Sequence, residues 1–208
     1  MQRTEARKRI LDAATSLFAQ KGYAGVGVRE IAKTADVNIS MISYYFQGKV
    51  GILKEIINAF HDQYHRAIMD GIDEHKPPEE CVRSIIRNMV HFVRTHTELA
   101  MAAFHALPLD IPEIAELKAE RVSEAFEGVG GLFTRLGLDP HDVVQMSIVG
   151  QSLISIIATH FRLRSVQQDV FHIEFDDAFY ERYTETISAL FIDGITGMAS
   201  EKTTDERE

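Results

Sequence analysis

Nine histidines and a single cysteine are the side chains in this 208-residue sequence best suited to metal or nucleophilic chemistry. His61 and His65 stand four apart, a helical spacing that brings two imidazoles to one face, where they can share a metal. Asp62 beside them points elsewhere, and no cluster of Cys or carboxylates accompanies the pair, so two solvated histidines and no metal are expected. His91, His96 and His105 make no stronger case. Glycine-rich phosphate loop, nucleophile elbow and metalloprotease helix motif are all missing from the sequence. Neither an enzyme nor a resident cofactor is expected, and the chemistry has to be sought in recognition.

Recognition chemistry is concentrated at Ile39 to Tyr45. Read as a helix, this segment turns Ile39, Ser40, Met41, Ser43, Tyr44 and Tyr45 outward, and none of them is charged. Such a helix can approach base edges in a major groove without presenting an acid to the phosphates. Charge along the chain agrees. Residues 1–50 hold eight basic side chains (Arg3, Arg7, Lys8, Arg9, Lys21, Arg29, Lys33, Lys49) against four acids, a balance of +4 that leaves -13 for the remainder of a chain of net charge -9. A polyanion is drawn to the first part and repelled by the second.

The elements that must hold this segment read as helices throughout, with no run of period-two alternation bounded by turn residues. From Glu5 to Gln20, Ile10, Ala14, Leu17 and Phe18 fall on one face, and Gly22 stops the helix. A short helix from Val28 to about Ala35, a tight link and a second short helix from about Ile39 to Tyr45 follow, which is the helix-turn-helix arrangement. Ile31, Ala32, Val37 and Ile42 pack the two together. Asn38 is placed to cap the second helix, and Asp36 sits where the turn calls for a left-handed residue. Gly48 ends that helix and a long one begins near Lys49.

The run Gly22-Tyr23, Val28-Arg29-Glu30-Ile31-Ala32, Val37-Asn38, Tyr44-Tyr45-Phe46 and Lys49 to Leu53 resembles the TetR family of transcriptional repressors over about residues 3–63. The resemblance implies that Ser40, Met41, Ser43 and Tyr44 face the major groove, with Asn38 and Ile39 at the start of the same helix. It also implies that Tyr45, Lys49 and the amides at the start of the Val28 helix hold phosphates. Arg29 either contacts DNA or is a solvated helix charge. The chain departs from the family at Val26 and Gly27, where a Thr or Ser is usual, so a hydroxyl cap and phosphate ligand are missing.

Beyond residue 63 only length and helical texture resemble the family. Further helices are expected from Glu79 to about Arg94, before Pro108, from Pro112 to about Leu136, from Pro140 to about Phe161 and from Asp176 or Asp177 onward, with a loop over 162–175. The uncharged stretch from Val143 up to Arg162 reads as a buried helix rather than a membrane span. A helix-turn-helix of this size reads too few base pairs alone, so a homodimer is expected. Ser147, Gly150 and Ile154 offer one seam for it, and a stripe containing Tyr180, Ile187, Phe191 and Ile195 offers another; both are alternatively plain intrachain core. The family typically senses a small molecule in its C-terminal body, and here Phe92, Met101, Phe104, His105, Phe126, Phe133, Gln151 and His160 mix aromatic, flexible and polar groups. They suit an apolar or amphipathic effector, or ordinary bundle core.

The fold expected is all-α, with about nine helices: a DNA-binding domain at 3–63 (helix-turn-helix about 26–45), a helical ligand-binding and dimerisation domain at 64–200, and a disordered tail at 201–208. Polar residues at the N-terminus and the single Cys81, expected inert, fit a cytoplasmic location without a membrane partner. The function expected is a dimeric repressor released from a palindromic DNA operator by a small molecule. A DNA-bound scaffold that engages another protein, or a helical enzyme or binding module, are the alternatives.

Overall fold

The computed structural model describes residues 2–104 and 107–205, and within them forms ten helices and no strand. They are α1 (Gln2–Lys21), α2 (Val28–Thr34), α3 (Ser40–Phe46), α4 (Lys49–Met69), α5 (Pro78–Thr95), α6 (Thr97–Phe104), α7 (Pro112–Arg135), α8 (Val143–Arg162), α9 (Arg164–Phe171) and α10 (Asp177–Asp205). The tenth is α9, which occupies the stretch expected to be a loop. Leu163, Val166 and Val170 do recur at helical spacing, yet no residue of α9 is buried, so its periodicity has no core to match. Helix α8 starts three residues after Pro140, because the Asp142 carboxylate accepts hydrogen bonds from the amides of Val144 and Gln145 and caps it there. Helix α10 continues through the expected tail as far as Asp205, and 206–208 lie outside the described residues.

The chain divides into two compact units. The first joins Met1–Gln63 to His96–Ser123, so the DNA-binding segment carries α6 and the first half of α7 with it. Ile10, Ala14, Leu17 and Phe18 of α1 are buried here with Ile31, Ile42, Ile52, Leu53 and Ile56. Helix α6 packs along α1, and its small residues Ala100, Ala102 and Ala103 are buried. Phe60 meets Phe104 edge-on at 4.9 Å. His61 is buried rather than solvated, with Nε2 2.9 Å from the carbonyl oxygen of Arg121. The Arg121 guanidinium in turn donates to Asn58 Oδ1 through Nε and Nη2, at 3.2 and 2.9 Å.

The second unit comprises Tyr64–Thr95 and Glu124–Glu208. Helix α5 is strongly two-faced, burying Cys81, Val82, Ile85, Ile86, Met89, Val90, Phe92 and Val93, and it packs along α10. Cys81 is buried, its thiol donating to the backbone oxygen of Asp73. Phe133, Leu138, Met146, Val149 and Ile195 form one apolar cluster, bordered by Phe126. A second cluster surrounds the buried His160, whose ring lies 4.5 Å from Tyr183, 5.1 Å from Phe161 and 5.3 Å from Phe175. Arg94 covers the Tyr180 ring at 4.6 Å and Arg164 covers Phe175 at 5.0 Å, both contacts of the cation–π kind.

Burial holds the His160 pKa below its ordinary 6.5; the polar Gln167 side chain opposes this and the charge of Arg164 adds to it. The unfolded chain therefore binds a proton that the folded chain resists, and stability falls as pH drops below 6.5. Denaturant unfolding at about pH 7.5 and about pH 5.5 should show a smaller loss on acidification in His160→Phe than in the wild type.

Candidate nucleic-acid interface

The face that bears the uncharged residues is built from beneath. Ile31 and Ala32 of α2 and Ile42 and Phe46 of α3 are buried, and Val37 between the helices is half-buried. Asp36 adopts φ 52°, the left-handed turn residue expected, and lies 3.7 Å from Arg9. Asn38 Oδ1 accepts from the Ser40 amide at 2.9 Å and from the Ser40 hydroxyl at 2.8 Å, so it caps α3 as expected. With that proton committed, the Ser40 oxygen is turned outward as an acceptor.

Two devices end α3 and start α4 within two residues. Gln47 takes φ 58° and Gly48 takes φ 113°, conformations that reverse the chain sharply. Gly51 then passes so close to α3 that a Cβ there would lie 1.7 Å from the Phe46 carbonyl oxygen. Only glycine fits. Arg7 of α1 completes the frame, pairing with Glu55 at 2.8 Å while its guanidinium lies 5.1 Å over the Phe46 ring. Neither Gly51 nor Arg7 was singled out from sequence; a glycine inside an apolar helical pattern was the available signal for the first.

Helix α3 is thereby presented with Asn38, Ile39, Ser40, Ser43 and Tyr44 exposed, and Met41 and Tyr45 half-buried. Tyr44 is 63% exposed, its ring edge-on to Tyr45 at 5.0 Å. Tyr45 bridges to the buried Phe46 at 6.5 Å. Val28 is half-buried and Arg29 exposed, and the extended backbone of Gly27 precedes α2 without a side-chain cap. Lys49 is half-buried, and its ammonium lies 3.8 Å from the Tyr23 ring centroid and 6.0 Å from that of Phe18. Burial lowers its pKa, while Tyr23 is pushed up by burial and by the charge of Asp110. Tyr23 is the third residue that sequence reasoning left without a role.

Residues 10–56 match the family model described as bacterial regulatory proteins, tetR family. The N-terminal segment is a TetR-family DNA-binding domain. The chain as a whole has the TetR fold: it superposes on the fatty acid degradation regulator FadR from Bacillus halodurans with a TM-score of 0.71 and 18% identity, over 91% of this chain and 95% of that one. AibR, crystallised with isovaleryl coenzyme A and operator DNA, gives a TM-score of 0.65 and 17% identity, over 90% of this chain and 98% of AibR. In sequence the chain is 29% identical over 117 residues to the probable HTH-type transcriptional regulator YttP from Bacillus subtilis, which is 55% of this chain and 56% of YttP. The match thus spans about half the length of that curated relative.

The residues expected to bind a ligand or a second copy fall in several places. Phe126 and Phe133 share the apolar cluster of the second unit, His160 lies in its aromatic cluster, and Phe92 is buried on α5. Met101 and Phe104 belong to α6 of the first unit, half-buried, and His105 lies outside the described residues. Gln151 is exposed, on the same side of α8 as the exposed Ser147 and Ile148, and lines no interior surface. Tyr180, Ile187 and Ile195 are turned into the chain's own core, which leaves them no surface for a partner; Phe191 and Ile154 are half-buried. A Cβ on Gly150 would lie 2.8 Å from the Phe126 ring, so its smallness serves an intrachain contact. Among the described residues no three of His, Cys, Asp and Glu come together as metal ligands would.

Gly51→Ala forces α3 and α4 apart. It should cost on the order of 3 kcal/mol of folding stability, read from urea unfolding, whereas Gly27→Ala, with open space around it, should cost little.

Proposed function

We propose that this protein is a cytoplasmic, sequence-specific, DNA-binding transcriptional regulator that acts as a homodimeric repressor and is released from a palindromic operator by a small molecule. The single observation that carries the reading is α3 itself, exposed, free of charged side chains and clamped at both ends. On this reading Ile39, Ser40, Met41, Ser43 and Tyr44 touch base edges, with Ser40 offering an acceptor and Tyr44 an amphipathic ring. Tyr45, Lys49, Arg29 and the backbone at the start of α2 take the phosphates, which set affinity and register but not sequence. Lys49 leaves the Tyr23 ring to do so, exchanging a cation–π contact for a charge-assisted one.

The second copy has a surface to occupy. Among the described residues α8 is the one helix long and apolar enough to cross a membrane, yet only 22% of its apolar window is buried in the chain, which overturns the expectation of a buried helix. Val143, at 78% exposure, Val144, Ser147 and Ile148 make an outward apolar face, and Leu190 of α10 is exposed as well. A patch of that kind on a monomer marks an interaction surface, and a two-fold related copy matches it with itself. Gln145 and Gln151 within α8 favour a protein partner over lipid. The dimer face thus centres on Val143 to Ile148 rather than on Gly150 and the α10 stripe. The effector reading is supported by the aromatic content of the helical body and by likeness to proteins such as AibR, which binds isovaleryl coenzyme A.

Tyr44→Ala should leave the thermal unfolding midpoint unchanged and weaken operator binding by on the order of a hundredfold in a gel shift, consistent with loss of a base contact plus its packing. Retention of wild-type affinity would remove the base-reading role. Ile148→Asp should convert the dimer to a monomer in sedimentation at micromolar concentration and, through loss of the second half-site, abolish operator binding without unfolding the chain. A dimer that survives this change places the interface elsewhere.

A further inference from the structure

Lys118 of α7 is a cation in an unusual position. It is half-buried, and among the described residues no acid pairs with it. Its ammonium lies 5.2 Å over the Phe104 ring, which in turn meets the buried Phe60 edge-on at 4.9 Å. The residues one helical turn to either side are the buried Ile114 and the half-buried Ala115, Arg121 and Val122, so α7 itself supplies no carboxylate at a pairing distance. Glu116 and Glu120 are exposed on other faces. Burial also lowers the Lys118 pKa. A partly desolvated ammonium costs free energy that a cation–π contact only partly offsets.

We propose that Lys118, with the half-buried ring of Phe104, is the anchor for the carboxylate of an amphipathic organic acid whose apolar body lies against that ring. The inference rests on the effector reading above and narrows it to a chemical class. Charge balance selects the head group. A single ammonium neutralises a monoanion, whereas a phosphate dianion would leave one charge uncompensated. Arg121, one turn along, donates to the neutral Asn58 oxygen through Nε and Nη2 and adds positive potential nearby. The Phe104 ring matches an alkyl or aryl body and rewards its removal from water. Phe104, Lys118 and Arg121 belong to the same compact unit as the DNA-binding helices, so a ligand held there bears on the body that presents α3.

The test uses the full-length protein and decanoate, with 1-decanol as the neutral match for its apolar chain. Decanoate should raise the thermal midpoint of the wild type and 1-decanol should raise it far less. Lys118→Met, which removes a costly charge while retaining the stem's packing, should fold, bind operator with unchanged affinity and lose on the order of tenfold in decanoate affinity. Lys118→Gln serves as the second variant and should lose as much. An equal response to the alcohol, no response of the wild type to decanoate, or undiminished decanoate affinity in both variants overturns the anchor. Decanoate bound through Lys118 but without release of operator DNA upholds the anchor and removes the effector reading instead.

Discussion

The outward presentation of one short helix depends on a steric constraint at its C-terminal end. Helix α4 begins within two residues of the end of α3, and Gly51 must touch the Phe46 carbonyl for it to do so. Gln47 and Gly48 turn the chain with positive φ, Arg7 lies over Phe46, and Ile42 and Phe46 tie the inner face down. At the other end Asp36 and Asn38 spend a left-handed turn and a side-chain oxygen on starting α3 where they do. A seven-residue helix is too short to be stable by itself, so its orientation is set by these neighbours and not by its own propensity.

That rigidity fits a division of labour between sequence reading and attraction. The exposed side of α3 carries no charge, so it adds no repulsion at the groove and no attraction either. In the proposed function attraction falls to the basic surplus of residues 1–50. The compact unit around α3 reaches beyond the helix-turn-helix to α6, which packs along α1, and to part of α7, which Arg121, Asn58 and His61 tie to α4. In the proposed function this is the physical reason an event at α6 or α7 bears on DNA binding.

Much of this was legible in the residues and some was not. Helix ends declared by glycine or by a local cap were read within a residue or two, as at Gly22, Gly48 and Asn38, because the interactions involved are local. The start of α8 was misplaced because Asp142 caps more effectively than Pro140 initiates. Helix α9 was missed because none of its residues is buried, so no core marks a face. Long-range contacts were invisible: the smallness of Gly150 was evident, but not that Phe126 fills the space beside it, and His61 looked solvated because its acceptor, the Arg121 carbonyl, lies sixty residues away. The burial of Lys118 left no trace in the sequence at all.

The most direct measurement is to let the purified protein select duplexes from a random pool and to sequence what it retains. The account predicts one enriched motif made of two inverted half-sites, with centres about one helical turn of DNA apart or a small multiple of that. A retained pool with no common motif would mean that α3 does not read base pairs, and the account of this protein as a sequence-specific regulator would be contradicted.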